Sequence, residues 1–155
     1  MKKDTRKQWI LPALIVLWIA FIFFHSLKPI DDSMKESGWV LAIVQKFLPF
    51  MSMYMVRRLA HFTEFAILGM LAAFLFGARC QNAWSALVFS IMTGMTTALC
   101  DETIQLSSAG RSGRLQDAWL DIAGACTGAA FAFAVRALVK KWKARKDSAL
   151  KVPER

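Results

Sequence analysis

Acidic residues are scarce in this chain, and almost half of them lie in or beside long apolar runs. The 155 residues include 11 Asp and Glu against 20 Lys and Arg, and eight of the acids lie between the charged tails. A charge at the centre of a bilayer costs at least ~3 kcal/mol, so acids within apolar segments usually face a protein interior or a wet cavity. Five acids lie inside or at the rims of long apolar runs, where they mark a candidate functional site: Glu64, Asp101, Glu102, Asp117 and Asp121.

Cysteine motifs and nucleotide-binding motifs are also missing. Cys80, Cys100 and Cys126 show no C-x-x-C spacing, so we interpret them as small apolar core residues that need no disulfide. The sequence contains no Gly-rich phosphate loop, no serine nucleophile elbow and no zinc motif. It also contains no internal repeat and no Gly/Ser linker, and its length suits a single domain.

Four long apolar segments predict membrane-spanning helices. Hydrophobic residues make up 56% of the chain, above the ~45–50% usual for soluble domains. Each segment approaches the ~17–25 residues that cross a bilayer as a helix, so we predict an all-α, four-helix integral membrane bundle. A soluble helical bundle is the alternative, but its helices would show a polar face that these segments lack. The predicted spans are Trp9–Leu27, Leu59–Gly77, Ala83–Cys100 and Ala118–Val139.

The net charge of +9 comes entirely from the two ends of the chain, because residues 8–135 contain as many acids as bases. Basic flanks beside apolar helices are the positive-inside signal, and they also attract anionic lipid headgroups. The charge therefore indicates a cell-membrane protein with both termini in the cytoplasm, and it does not indicate nucleic-acid binding. Residues 28–58 and 101–117 are then extracytoplasmic.

The predicted domain organisation follows from this topology. We expect a basic cytoplasmic N-terminus at 1–8, a four-span membrane domain at 9–139 and a basic cytoplasmic tail at 140–155. The first span starts like a signal peptide, but its apolar stretch exceeds the usual ~7–15 residues and no small-x-small cleavage site follows. We therefore expect a retained anchor.

The segment between the first two spans contains an apolar stretch that is too short to cross a bilayer. This stretch, Gly38–Met51, is interrupted by Pro49. Such short runs are often interfacial or re-entrant. We expect an extracytoplasmic interfacial helix or a re-entrant segment here, with Trp39 and Tyr54 at headgroup depth.

Helical spacing places the polar groups of the second and third spans on shared faces. Arg57, His61 and Glu64 lie at i, i+4 and i+7, which puts them on one face near the start of the second span. Asp101 and Gln105 are four residues apart at the end of the third span. The topology brings these two helix ends to the same membrane face.

The fourth span begins at that face with Asp117 and Asp121, again four residues apart. The loop before it adds Arg111 and Arg114 at the same level. These groups predict one polar site on the extracytoplasmic side. The predicted ligand-binding residues are Arg57, His61, Glu64, Asp101, Glu102, Gln105, Arg111, Arg114, Asp117 and Asp121.

Other interpretations of these residues remain open. A buried salt-bridge network could fix helix register without any chemistry, and Gly124 and Gly128 form a small-x-x-x-small pattern typical of close helix packing. His61 and Glu64 with nearby aspartates could hold a divalent metal, but the chain has only two histidines, and His25 lies in another span. We expect neither a metal nor a cofactor.

These residues carry a resemblance to the VanZ-like family of bacterial membrane proteins. It rests on RRLAHFTEFAILGML at 57–71, on DETIQLSSAGRSGRLQDAWLDIAGACTG at 101–128 and on FHSLKP at 24–29. With the four-span layout, it covers roughly residues 10–138. Two positions depart from the family pattern: Asp121 stands where the family more often has Asn, and FHSLKP stands where Ser-Ser-Gln is more common.

The resemblance implies a protein acting at the cell envelope, and it implies tolerance to glycopeptides such as teicoplanin as an expectation. We expect the polar site to bind a lipid headgroup, a lipid-linked cell-wall precursor or a lipoglycopeptide. Catalysis is the second hypothesis, with His61, Glu64, Asp101 and Asp117 as acid, base or metal ligands on a lipid-linked substrate. The third is a membrane scaffold that contacts a membrane-protein partner or a second copy through the two glycines.

Overall fold

The computed structural model describes residues 7–107 and 114–149, which form five α-helices and no strand. The all-α prediction is confirmed. The side chains of Lys7, Ile30 and Ala149 lie outside the description. In chain order the helices are α1 (Lys7–Ser26), α2 (Ile30–Val44), α3 (Met53–Arg79), α4 (Ala83–Leu106) and α5 (Leu115–Ala149).

Four helices, α1, α3, α4 and α5, are long and apolar enough to cross a membrane. Three of them, α3, α4 and α5, extend well beyond the spans predicted from hydrophobicity, because backbone hydrogen bonding continues a helix through polar residues beyond the apolar run. Ser52 caps the start of α3 by accepting a hydrogen bond from the backbone N–H of Met55 at 3.2 Å. The 35 residues of α5 measure about 50 Å, which exceeds the ~30 Å of a hydrocarbon core.

The segment between the first two spans contains α2. Of the two predicted forms, a helix or a re-entrant segment, the structure shows a helix. Pro29 precedes the helix, at a point where a missing N–H is tolerated. The helix begins in the polar stretch after Pro29 and continues into the apolar stretch, where Trp39 is largely exposed. The side chain of Gln45 donates a hydrogen bond to the carbonyl of Met51 at 2.9 Å. This bond links the end of α2 to the residues just before α3.

Small residues bring α3 and α5 into close parallel contact at the centre of the bundle. A Cβ added at Gly128 would overlap the carbonyl of Ala66, and one added at Gly124 would overlap the carbonyl of Phe62. Gly69 meets the backbone of Ala125 in the same way from the α3 side. Only glycine permits this approach, which gives α3 and α5 a backbone-to-backbone interface.

The helix ends define two ends of the bundle. At the polar end, α1 and α4 end while α3 and α5 begin. At the opposite end, Arg79 donates to the carbonyl of Gln8 at 2.9 Å, and Arg136 reaches the carbonyls of Phe74 and Gly77. These contacts show that α1 runs antiparallel to α3 and that α5 runs parallel to it.

The outward surface is apolar, as a lipid-facing surface requires. Exposed aromatic side chains lie near both ends, with Trp9 and Trp84 at the opposite end and Trp39, Tyr54 and Trp119 at or near the polar end. Trp and Tyr favour the membrane–water interface. Their two bands, together with four apolar helices, give the architecture of a helical membrane bundle.

Candidate functional site at the polar end

Three helices each place one ionisable side chain in a common buried cluster at the polar end. His61 comes from α3, Asp101 from α4 and Asp121 from α5. One potential ligand atom from each lies within 4.8 Å of the other two. Asp101 is 0% exposed and Asp121 is 1% exposed, so both carboxyl groups are removed from bulk water.

Asp101 is positioned by two neighbours. Gln105, one turn further along α4, donates a hydrogen bond from Nε2 to Oδ2 of Asp101 at 2.7 Å. The hydroxyl of Ser26, at the end of α1, also interacts with this carboxyl group. The second oxygen, Oδ1, is buried without a hydrogen-bond partner.

Asp121 is as buried as Asp101, but its carboxyl group accepts no hydrogen bond from a described residue. Neither of its carboxyl oxygens has a hydrogen-bond partner, and Oδ1 lies 4.0 Å from Nδ1 of His61. That separation is too long for a hydrogen bond. Four further carboxyl groups interact electrostatically with Asp121: Asp101, Glu102, Asp117 and Glu64.

A second polar group joins α1, α2 and α3 beside this cluster. His25 Nδ1 lies 3.0 Å from Oε1 of Glu64, and His25 Nε2 lies 3.3 Å from Oε2 of Glu36. Lys28 donates to Oε1 of Glu36 at 2.6 Å, and this ammonium group is the main cause of the lowered pKa of Glu36. Trp18 fixes the α1–α3 contact by donating from its indole N–H to the carbonyl of Glu64 at 2.9 Å.

The arginines at this end differ in their partners. Arg58 lies 4.0 Å from Asp117 and also contacts the hydroxyl of Tyr54. Arg57 is half-buried, and the structure gives it no ion pair with any described residue. Arg114 donates its backbone N–H to Glu102 at 2.6 Å, while its side chain is exposed. Arg111 lies outside the described residues.

Comparison with known sequences places this arrangement in a family. The sequence model of the VanZ/LLP1 family matches residues 11–137, which is most of the chain. The chain belongs to the VanZ/LLP1 family. No similar curated protein and no similar solved structure was found. The match therefore confirms the resemblance without assigning a ligand or a reaction.

Within this VanZ/LLP1 chain, some predicted site residues meet and others separate. His61, Asp101 and Asp121 converge, with Gln105 beside them. Glu64 shares the face of His61 in sequence, but its carboxylate meets His25 on α1. The assignment of His61 and Glu64 as acid and base stays a prediction. The role of the whole predicted set as a ligand-binding site stays a prediction.

Sequence reasoning missed the contribution of the first span. His25, Ser26 and Lys28 all lie in or directly after the end of α1 and reach the polar groups of α2, α3 and α4. One signal was present, because these residues belong to the FHSLKP segment and the topology places it at the polar end. The rotation of α1 about its axis, which decides that His25 faces Glu64, was not readable from an apolar run.

Proposed function

We propose that the polar end faces the extracytoplasmic side and binds the anionic headgroup of a membrane-inserted amphiphile. The observation that carries this proposal is the contrast between buried acids and available arginines. Asp101 and Asp121 lie inside the bundle, whereas Arg57 and the exposed Arg114 have side chains without an ion pair to a described residue. Both arginines lie within one turn or so of a helix start, at headgroup depth.

The charge distribution along the bundle supports this orientation. At the opposite end, α5 carries the exposed basic residues Lys140, Lys141 and Lys143. The basic residues that precede α1 in the sequence belong to the same end. Basic residues beside membrane helices favour the cytoplasmic side, so the polar end is expected outside.

The chemistry of the arginines selects the ligand class. A guanidinium group binds phosphate or carboxylate through two parallel hydrogen bonds. Three kinds of amphiphile would carry such groups at the depth of Arg57 and Arg114: a phospholipid, a lipid-linked cell-wall precursor and a lipoglycopeptide. The family adds glycopeptides such as teicoplanin to the amphiphiles worth testing. Glu64 and Asp117 would orient the cationic side chains through His25 and Arg58.

Ligand retention in lipid nanodiscs tests the proposal. The double variant Arg57→Ala/Arg114→Ala is compared with wild type for binding of phosphatidylglycerol, a polyprenyl phosphate and teicoplanin, each measured separately by native mass spectrometry. We expect at least tenfold weaker binding of the true ligand, since a charged hydrogen bond contributes about 1.5–3 kcal/mol. The three arms distinguish a lipid headgroup, a carrier phosphate and an antibiotic.

The matched control is Lys35→Ala, which removes a cation from the same end of the protein. Lys35 is highly exposed and pairs only weakly with Asp32, at 3.5 Å. If Lys35→Ala weakens binding as much as the double arginine variant, binding is diffuse surface attraction and the proposal fails. Unchanged binding in the double variant contradicts it as well.

The acids of the site give a second test in cells. Glu64→Ala and Asp117→Ala are expected to abolish any glycopeptide tolerance that expression of the wild-type protein confers, while both variants insert at normal abundance. Susceptibility to teicoplanin and membrane abundance are measured together. Full tolerance in both variants contradicts a role for the polar end.

Catalysis is the second candidate function, favoured by the grouping of His61, Asp101 and Asp121. A membrane enzyme with these residues as acid, base or metal ligands would modify a lipid-linked substrate. Product analysis after incubation with a polyprenyl-linked pyrophosphate, with wild type and His61→Ala, tests this candidate. No change in the substrate with wild type leaves binding as the function.

The scaffold hypothesis relied on Gly124 and Gly128 as a face for a partner. Both glycines lie against the α3 backbone of the same chain, at Phe62 and Ala66. That face is therefore covered within the fold, and we do not propose it for a partner.

A further inference from the structure

Among the described residues, the cluster of His61, Asp101 and Asp121 is short of positive charge. Two carboxyl groups with 0% and 1% exposure lie close enough that one atom of each falls within 4.8 Å of the other and of His61. No lysine or arginine among the described residues makes an ion pair with either aspartate. A protonated His61 would balance one negative charge at most.

Hydrogen bonding does not complete the cluster either. Gln105 donates a hydrogen bond to Asp101, and Ser26 interacts with the same carboxyl group. Oδ1 of Asp101 and both oxygens of Asp121 are nevertheless buried without a hydrogen-bond partner. Burying an unsatisfied carboxylate is costly, so a buried carboxyl group that stays ionised normally has a counter-charge or a metal ion. A bound cation would satisfy the three unsatisfied oxygens of this cluster.

We infer that His61, Asp101 and Asp121 bind a divalent transition-metal cation, with Zn²⁺ or Mn²⁺ as the chemical type. A doubly charged cation neutralises the two carboxylates, and one imidazole with two carboxylates is a donor set that such cations accept. Three protein ligands leave at least one coordination position for water or for an oxygen of a ligand.

The distances are compatible with this site. Zinc–ligand distances of about 2.0–2.2 Å allow two ligand atoms on one cation to lie up to about 4.4 Å apart. The three atoms lie within 4.8 Å of one another, so small side-chain rotations suffice. Gln105 would orient Asp101 as an outer partner of the cation, which is the usual role of a group that hydrogen-bonds to a metal ligand.

The sequence alone predicts no bound metal, and its metal alternative combined His61 and Glu64 with Asp101 and Asp117. The structure gives a different set because Glu64 turns to His25 and Asp117 to Arg58, whereas Asp121 turns inward. The cation site consists of His61, Asp101 and Asp121 alone. It does not require that a headgroup bind at the arginines.

Metal titration of the purified full-length chain tests the inference. The protein, carrying no His tag, is stripped with EDTA in detergent and titrated separately with Zn²⁺, Mn²⁺ and Mg²⁺ by calorimetry, with bound metal counted by mass spectrometry of the elements. We expect one Zn²⁺ or Mn²⁺ per chain and weaker binding of Mg²⁺. Asp121→Asn is expected to weaken binding at least a hundredfold.

Three further variants make the result specific. Asp31→Asn removes an exposed acid elsewhere at the polar end, and it should bind metal as wild type does. Gln105→Leu should weaken binding about 10–100-fold, as loss of a group that orients a metal ligand does. A variant with all three cysteines replaced by alanine should retain the site, which excludes thiol binding.

Asp121→His guards against a folding defect in Asp121→Asn, because it replaces one metal ligand by another and should retain Zn²⁺ binding. Absence of stoichiometric binding in wild type overturns the inference. So does binding that persists unchanged in folded Asp121→Asn, or binding that disappears with the cysteines.

Discussion

At the residue scale, the protein's most unusual feature is a carboxyl group held in the bundle with no hydrogen bond. Asp121 lies close to Asp101, and both carboxyl groups are almost completely buried. An unsatisfied buried polar group costs about 1–3 kcal/mol. Replacing such a group by one that leaves no polar atom unsatisfied is therefore expected to improve stability.

The first prediction is that Asp121→Asn stabilises the metal-free protein. The amide has nearly the same shape, removes one of two buried like charges and can donate a hydrogen bond to the unpartnered oxygen of Asp101. We expect a gain of about 1–3 kcal/mol, the cost of one unsatisfied group. Thermal unfolding in detergent with EDTA measures it, with Asp117→Asn as the control. A lower unfolding temperature for Asp121→Asn contradicts the prediction.

Residue positions could be predicted from sequence more reliably than residue partners. The i, i+4 spacing of Asp101 and Gln105 correctly puts both on one face, and they hydrogen-bond. The same reasoning placed Glu64 with His61, yet a helix face is wide enough that neighbours on it meet different helices. His61 meets Asp121 on α5, and Glu64 meets His25 on α1.

At the scale of elements, the α3–α5 contact holds the site in register. The two helices run parallel, and glycines remove the side chains that would separate them. Because His61 lies on α3 and Asp121 on α5, any sliding or separation of these helices would open the cluster.

The second prediction concerns this interface. Gly128→Leu is expected to destabilise the protein by more than about 3 kcal/mol, since the new side chain must displace the α3 backbone at Ala66. Ala130→Leu is the matched control, because the same side chain is added two residues away at an exposed position. Unfolding temperature and membrane abundance are measured for both. Equal stability of the two variants contradicts the described packing.

The third prediction concerns the link between α1 and α2. Lys28 lowers the pKa of Glu36 from its ordinary value of 4.5, so the ionised form of Glu36 is favoured in the folded protein. Its contribution is present above pH 4.5 and is lost as the pH falls through the lowered pKa. The carboxylate is 52% exposed, so the contribution is below about 1 kcal/mol.

Comparison of Glu36→Gln with wild type measures this contribution. The difference in unfolding temperature is expected at neutral pH and should shrink towards zero as the pH falls to the lowered pKa. Asp31→Asn removes a nearby exposed carboxylate, and it should show no such difference. A difference for Glu36→Gln that grows in acid contradicts the assignment.

The elements themselves were largely predictable, because runs of apolar residues determine which segments must leave water. Their ends were less predictable. The helix α5 continues to Ala149 through a basic stretch that was expected to be a tail, and α2 begins at Ile30 in a polar stretch. Backbone hydrogen bonding and capping set these boundaries, and hydrophobicity does not report them.

At the scale of the whole molecule, the bundle is polarised. One end gathers most of the described acids, the two histidines and several arginines, and the other end carries the basic extension of α5. This asymmetry follows from an even number of antiparallel passes that return polar segments to the same side. It gives the protein a direction in the membrane, and the proposed function depends on that direction.

The fourth prediction is the orientation of the bundle. In a cysteine-free background, Lys35→Cys at the polar end and Gln81→Cys at the opposite end are both exposed positions. In intact cells a membrane-impermeant maleimide should label Lys35→Cys, whereas Gln81→Cys should be labelled only after permeabilisation. The reverse pattern would place the polar end in the cytoplasm and contradict the proposed function.

The central claim is that α4 and α5 meet at the buried residues Asp101 and Asp121. Paired cysteines test this contact most directly. In the cysteine-free background, Asp101→Cys/Asp121→Cys is oxidised with copper phenanthroline in membranes and also treated with a short bis-thiosulfonate reagent. The control pair keeps the exposed Cys100 and adds Trp119→Cys, at similar depth but facing outward. The account predicts efficient cross-linking of the first pair and little of the second. No cross-link between positions 101 and 121 in the folded protein, or preferential cross-linking of the outward pair, would contradict it.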